Sequence, residues 1–200
     1  MLIGLDFDNT IVSYDTLFHK VATEKNVIPE TVPVNKVAVR DHLRKTNQEY
    51  IWTEMQGYVY GKRMDEAEAY PGVIEFIRNA KKKGHQLCIV SHKTRYPFLG
   101  EQYDLYAAAI QWITHHLTID EQPLFHEDNY FFEPTKDEKV KRIAACACDV
   151  YIDDLPEILQ NGYFPASCRR ILFDPEKHHV QGVKEIDTMH SWKQIEASLL

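Results

Sequence analysis

The chain has 200 residues, 44% of them hydrophobic, enough for one sizeable core or a core with a modest insertion, and this excludes a disordered chain. Its formal net charge is −7, from 30 acidic and 23 basic residues, and its densest basic run is the triplet Lys81-Lys82-Lys83. A broad charged face for nucleic-acid polymers or an anionic membrane is therefore not expected. No apolar stretch approaches the roughly 20 residues of a membrane helix, and no leader-like segment precedes the first apolar run, so a cytoplasmic location is expected.

In chain order, Leu2, Ile3 and Leu5 open a strand over 2–6 that runs directly into Asp6-Phe7-Asp8-Asn9-Thr10. Residues 14–68 then read as helices only. One lies near 15–24, one follows Asn35 through VAVRDHLRK, and one runs through QEYIWTEMQGYVYG, with the turn-rich IPETVPV between the first two. Tyr70-Pro71-Gly72 returns the chain to a different pattern. From there, apolar runs at 86–91, 130–132, 149–152 and 169–173 alternate with helical patterns at 72–83, 101–116, 136–147, 155–160 and 191–199. The lysine triplet precedes Gly84, as suits a solvated helix end, and Thr135 with Glu138 marks a capped helix start after Pro134.

Strand and helix alternating in this way predict an α/β fold with a mainly parallel sheet, a Rossmann-like three-layer core. The helical stretch 14–68 is then an insertion into a core made of 1–13 and 69–200. Cys88, Cys146, Cys148 and Cys168 lie in or beside apolar runs without paired spacing, and reduced core thiols are expected rather than a metal site at Cys146-Ala-Cys148. Of the ten histidines, the neighbours His115-His116 and His178-His179 would point apart, which favours surface positions. Phe18, Tyr50, Trp52, Tyr58 and Tyr60 in the insertion are expected to pack it against itself rather than stack on a ligand.

Ligands of parallel α/β sheets bind beyond the carboxyl ends of the strands, so the residues at those ends carry the functional information. The first strand ends in Asp6 and Asp8, which strand alternation places on one side of the backbone. The second ends in Ser91-His92-Lys93-Thr94, and the strand at 149–152 ends in Asp153-Asp154. Lys136 and Lys139 begin the helix before that strand. Taken singly, Asp8-Asn9-Thr10 is a good turn, Asp153-Asp154 a good helix cap, and His92, Lys93 and Arg95 ordinary loop charges or a reach toward a second anionic group. Together, four carboxylates, a hydroxyl and a lysine converge on one sheet edge, where like charges need a cation or proton between them.

DFDNT, a strand-terminal serine, a lysine and the pair in IDDLPE resemble the four motifs of the haloacid dehalogenase-like phosphohydrolases, over the whole chain. The helical insertion lies where that superfamily carries a cap between its first and second motifs, and the short lysine-to-IDDLPE spacing looks most like the 5′(3′)-deoxyribonucleotidase branch. The resemblance implies a magnesium-dependent phosphatase for a small phosphorylated metabolite. Asp6 would be the nucleophile and Asp8 the general acid and base. Thr10, Ser91, His92 and Lys139, with Lys136 as the alternative lysine, would bind phosphate. Asp6, Asp8, Asp153 and Asp154 would hold Mg2+, Asp8 through its backbone carbonyl, with Asp154 the direct carboxylate ligand of the second pair. A phosphomutase, a phosphonatase or a catalytically silent phospho-ligand module on the same fold are the alternatives.

Overall fold

A computed structural model of the chain describes residues 1–179 and 185–200. The chain divides into two compact units: Met1–Val12, Ala69–Lys93 and His116–Leu200 form the first, Ser13–Glu68 and Thr94–His115 the second.

The elements follow in order as β1 (Leu2–Leu5), β2 (Val12–Ser13), α1 (Asp15–Glu24), α2 (Lys36–Lys45), α3 (Glu49–Tyr60), β3 (Glu68–Ala69), α4 (Val73–Lys82) and β4 (Gln86–His92). After these come α5 (Leu105–His116), β5 (Thr118–Ile119), β6 (Gln122–Pro123), β7 (Tyr130–Glu133), α6 (Lys136–Cys146) and β8 (Val150–Asp153). The chain closes with α7 (Pro156–Leu159), β9 (Arg169–Phe173), β10 (Asp187–Met189) and α8 (Trp192–Leu199).

The first unit is built on a six-stranded sheet in the order β10-β9-β8-β1-β4-β7, every adjacent pair parallel. This is the α/β architecture expected from the alternation of elements, with helices covering both faces of the sheet. On one face α6 and α7 bury Val140, Ile143, Ile158 and Leu159 against Cys88, Val90, Tyr151 and Leu172. On the other, Trp192 of α8 lies 5.1 Å from Phe76 of α4 and 5.5 Å from Phe173, ring centre to ring centre. β1 is central and wholly apolar, with Ile3 and Leu5 inaccessible to solvent. Such a doubly covered strand reads as a continuous hydrophobic run for that reason.

The sheet grows from β1 in both directions, toward β4 on one side and β8 on the other. The carboxyl end of β1 is thus the place where strand order reverses and a crevice opens. Close packing there also explains Gly4: a Cβ at this position would stand 2.6 Å from the Tyr151 ring and 2.8 Å from the Cys148 sulfur.

In the second unit α1, α2 and α3 bury Phe18, Val21, Val39, Leu43, Trp52, Met55 and Val59. Asn35 caps α2 by accepting the Ala38 N–H at 3.0 Å. Phe18 lies 4.8 Å from Trp52 and 5.6 Å from Tyr60, while Tyr58 faces Tyr103 at 6.3 Å, so four of the five aromatic side chains pack inside the unit and only Tyr50 is largely exposed.

The sequence reading closes this insertion at residue 68, but residues 94–115 fold with it. The reason is local packing. Gly57 leaves room for Pro97, Gly61 leaves room for Tyr103, and the buried Trp112 indole N–H donates to the Ala67 carbonyl at 2.8 Å. The same stretch shortens the helix expected over 101–116, because Asp104 accepts the N–H groups of Tyr106 and Ala107 and so starts α5 at Leu105. The edge strand β10 was not expected, since its three residues, Asp-Thr-Met, carry no apolar run.

All four cysteines are free, three of them buried, with Cys88 and Cys148 sulfurs 3.8 Å apart. Among the described residues no helix is long and apolar enough to cross a membrane.

Candidate active site

Beyond Leu5 the chain turns sharply. Ile11 and Val12 both donate to the Phe7 carbonyl, Asn9 donates to Val12, and Asn9 adopts a left-handed conformation with φ +60°, which asparagine tolerates better than most residues. Asp-Asn-Thr therefore does form the turn its composition suggests. That turn also aims the side chains on either side of Phe7.

Asp6 is almost fully buried and is held by three donors. Its Oδ1 accepts the Ser91 hydroxyl at 2.9 Å and the Lys139 ammonium at 2.6 Å, and its Oδ2 accepts the Thr10 hydroxyl at 3.2 Å. Its backbone N–H continues the sheet ladder to the Ile152 carbonyl at 2.9 Å. A carboxylate fixed through both oxygens and its own backbone has one orientation available.

Lys139 is itself buried, with its Nζ 2.6 Å from Asp153 Oδ2 as well as 2.6 Å from Asp6. Burial opposes the lysine charge, but Asp153 and Asp6 outweigh it and raise the pKa above the ordinary lysine value. Burial pushes the Asp153 carboxyl up to about 7, Lys139 opposes that rise, and the Asp6 charge adds to it. Asp153 Oδ1 accepts the Leu155 N–H at 2.9 Å, while Oδ2, though beside the ammonium, has no hydrogen bond of good geometry.

The helix start that delivers Lys139 is capped as expected, since Thr135 Oγ1 accepts the Glu138 N–H at 3.2 Å. Lys136, one turn earlier, does not enter the cluster and pairs with the exposed Glu157 instead. The two lysines share a face of α6 but differ in depth, and depth separates them.

One oxygen each from Asp6, Asp153 and Asp154 lie within 4.8 Å of one another, and this is the only such group of three or more His, Cys, Asp or Glu among the described residues. An all-oxygen set, two of its three carboxylates buried, fits a hard divalent cation such as magnesium. Asp8 does not bring its carboxylate to this group. It is partly exposed and pairs through Oδ2 with Lys93 Nζ at 2.7 Å. Of the four carboxylates expected to pack together, three do so and the Asp8 carboxylate pairs with Lys93 instead. His92 turns its Nε2 to the Pro134 carbonyl at 3.2 Å, and burial lowers its pKa. Arg95 pairs with Asp104 at the surface of the second unit.

Lys93 is the feature that sequence reasoning undervalued. It is as buried as Asp6 rather than a loop charge. The available signal was its place immediately after a strand buried over almost its whole length.

A parallel sheet whose order reverses at β1, with an aspartate directly after that strand, a serine near the end of β4, a helix-borne lysine and a carboxylate pair at the end of β8, has the haloacid dehalogenase-like hydrolase fold. Solved structures of that fold align over nearly the whole chain. They include a HAD-superfamily hydrolase from Ehrlichia chaffeensis (TM-score 0.56, 13% identity, 98% of this chain and 94% of that one). A phosphoserine phosphohydrolase-like protein from Francisella tularensis aligns with TM-score 0.55 and 15% identity over 99% of both chains. The "putative HAD-hydrolase YfnB" of Bacillus subtilis, whose crystal structure is bound to magnesium, aligns with TM-score 0.56 and 13% identity over 99% of this chain and 97% of that one. In sequence, the chain is 20% identical over 166 residues to a Bacillus cereus protein named "Putative nucleotidase", covering 80% of this chain and 79% of the relative. No family model matches.

Proposed function

We propose that the protein is a magnesium-dependent phosphohydrolase that cleaves a small phosphomonoester through an aspartyl-phosphate on Asp6. The observation that carries this reading is the grip on Asp6 by Ser91, Thr10 and Lys139 beside the Asp153 and Asp154 carboxylates. A carboxylate held immobile through both of its oxygens at the switch point of the sheet is organised to attack, not merely to cap a turn.

Asp6 attacks phosphorus while the ester oxygen departs, and Asp8 supplies the proton that oxygen takes up. Asp8 then removes a proton from the water that attacks the phosphorus of the aspartyl-phosphate, which releases inorganic phosphate and restores Asp6. Ser91 and Lys139 offset the negative charge that gathers on the phosphoryl oxygens, and Thr10 holds the attacking carboxylate in plane. Asp6, the Asp8 carbonyl and Asp154 would hold magnesium, with Asp153 orienting them, and the bound ion supplies the charge neutralisation that lets one anion approach another.

The Bacillus cereus relative makes nucleoside monophosphates the first substrates to screen, alongside sugar phosphates and phosphorylated cofactors. The test is release of inorganic phosphate by the purified protein with magnesium, compared with Asp6→Asn. The amide keeps the shape but removes the nucleophile and one charge, so turnover should vanish while the melting transition persists. Turnover near the parent rate in Asp6→Asn, in a preparation free of contaminating phosphatase, would reject the mechanism. Stoichiometric phospho-ligand binding with no turnover in the parent protein would support a silent binding module instead.

A further inference from the structure

Seven polar or charged residues are buried among the described residues, and six of them, Asp6, Thr10, Ser91, Lys93, Lys139 and Asp153, belong to the site. Two are lysines. Lys139 has its explanation in the phosphoryl group and the carboxylates around it. Lys93 does not, and an ammonium taken out of water is costly unless a partner of opposite charge repays it.

Its partner is Asp8, at 2.7 Å. The lysine end of this pair is tied down. The Lys93 N–H donates to the Glu133 carbonyl at 2.9 Å, which fixes the residue at the end of β4, and its Nζ stands 5.6 Å from the centre of the Phe7 ring. Phe7 is inaccessible to solvent and packs edge-on against Phe132 at 5.9 Å. Asp8 lies on the left-handed turn at Asn9 and keeps 20% of its side chain exposed. A carboxylate on such a turn has several staggered orientations open to it. A buried ammonium at one fixed point selects among them. The Asp8 carboxylate is not part of the Asp6, Asp153 and Asp154 group.

We propose that Lys93 is a positioning residue that sets where the Asp8 carboxylate stands, separating the group that transfers protons from the three carboxylates that gather around the cation. The inference rests on the phosphohydrolase reading for the role of Asp8, but the placement itself is a structural claim. The proton in question moves from the Asp8 carboxyl to the ester oxygen as the P–O bond breaks, and a misplacement of about 1 Å in a group that must meet a reacting atom can cost on the order of 100-fold in rate.

The experiment has two arms, each run on Lys93→Met, which keeps the bulk and removes the charge, and on Lys93→Gln as a second variant should the first fail to fold. In crystal structures, the Asp8 carboxylate should move by more than about 1 Å from its parental place while Asp6 and Lys139 stay put. In kinetics, kcat for alkyl phosphates should fall roughly 10–100-fold with KM nearly unchanged, aryl phosphates with good leaving groups should lose far less, and adding Lys93→Met to Asp8→Asn should cost nothing more. An unmoved Asp8 in the variant structures, or rate losses that add in the double variant, would overturn the proposal. If the parent protein hydrolyses no phosphomonoester, the phosphohydrolase reading fails by itself, and the crystallographic arm still decides whether Lys93 places Asp8.

Discussion

Replacing Lys139 by methionine tests the centre of the site, because the two lysines of α6 offer an internal control. Methionine keeps most of the volume, so the loss reports charge rather than a cavity. Lys139 is 1% exposed and lies 2.6 Å from both Asp6 and Asp153, which are themselves buried. Removing one partner of a buried ion pair typically costs about 3–5 kcal/mol, since the remaining charges are left unpaired in a medium that solvates them poorly. For a chain of this size each kcal/mol moves the melting temperature by about 2–4 °C, so without magnesium the fall should be about 6–20 °C. Lys136 pairs with Glu157 with about half of each side chain in water, where such a bridge contributes under about 1 kcal/mol. Lys136→Met should therefore melt within a few degrees of the parent. The same ranking should hold for kcat, with Lys139→Met losing on the order of 100-fold or more, the size of one charged transition-state contact. Thermal melts and phosphate release measure both quantities. A Lys136 variant worse than the Lys139 variant on both, or a Lys139 variant that melts with the parent, would refute the assignment.

Chelation should abolish turnover, magnesium should restore it and calcium should support it poorly, because calcium accepts a looser oxygen coordination; magnesium at a hundredfold over its Kd should also stabilise the fold by about 2.7 kcal/mol, and an unchanged melt across the titration would contradict a preformed site. Gly4→Ala should destabilise by about 1–3 kcal/mol in denaturant titrations, since its methyl would collide with the Tyr151 ring and the Cys148 sulfur in the tightest part of the core, and a neutral result would show that the core yields. In the second unit Arg63 and then Lys20 hold the Glu66 carboxyl down to about 2, so its contribution to stability is complete above about pH 4.5 and is lost as the pH falls toward 2. With Glu66 39% exposed, that contribution is at most about 1 kcal/mol, and Glu66→Gln should remove it at pH 7 while leaving stability near pH 2 unchanged.

The side chains of the site carry a charge balance of their own. Four carboxylates at one sheet edge would repel, but Lys139 stands between Asp6 and Asp153 and Lys93 stands against Asp8. Two buried lysines thus offset part of the carboxylate repulsion within the site.

Legible in the residue order alone were the strand and helix alternation, the aspartates at the carboxyl ends of β1 and β8, the serine near the end of β4 and the cap that starts α6. Each depends on residues close together in the chain: alternation on apolar runs, the cap on Thr135 and Glu138, the turn on Asn9. Residue order could not separate Lys136 from Lys139, because helix periodicity puts both on one face and only the depth of the sheet beneath α6 buries the second. It did not attach residues 94–115 to the helical insertion, since the match of Gly57 to Pro97 and of Gly61 to Tyr103 joins positions some 40 residues apart with no local trace. Nor could it tell that Lys93 is buried: a lysine just after a strand reads as solvated until the aspartate 85 positions earlier is brought within 2.7 Å of it. Local propensity fixes where elements begin and end, whereas the partner of a charge is decided by which strand ends the parallel sheet sets side by side.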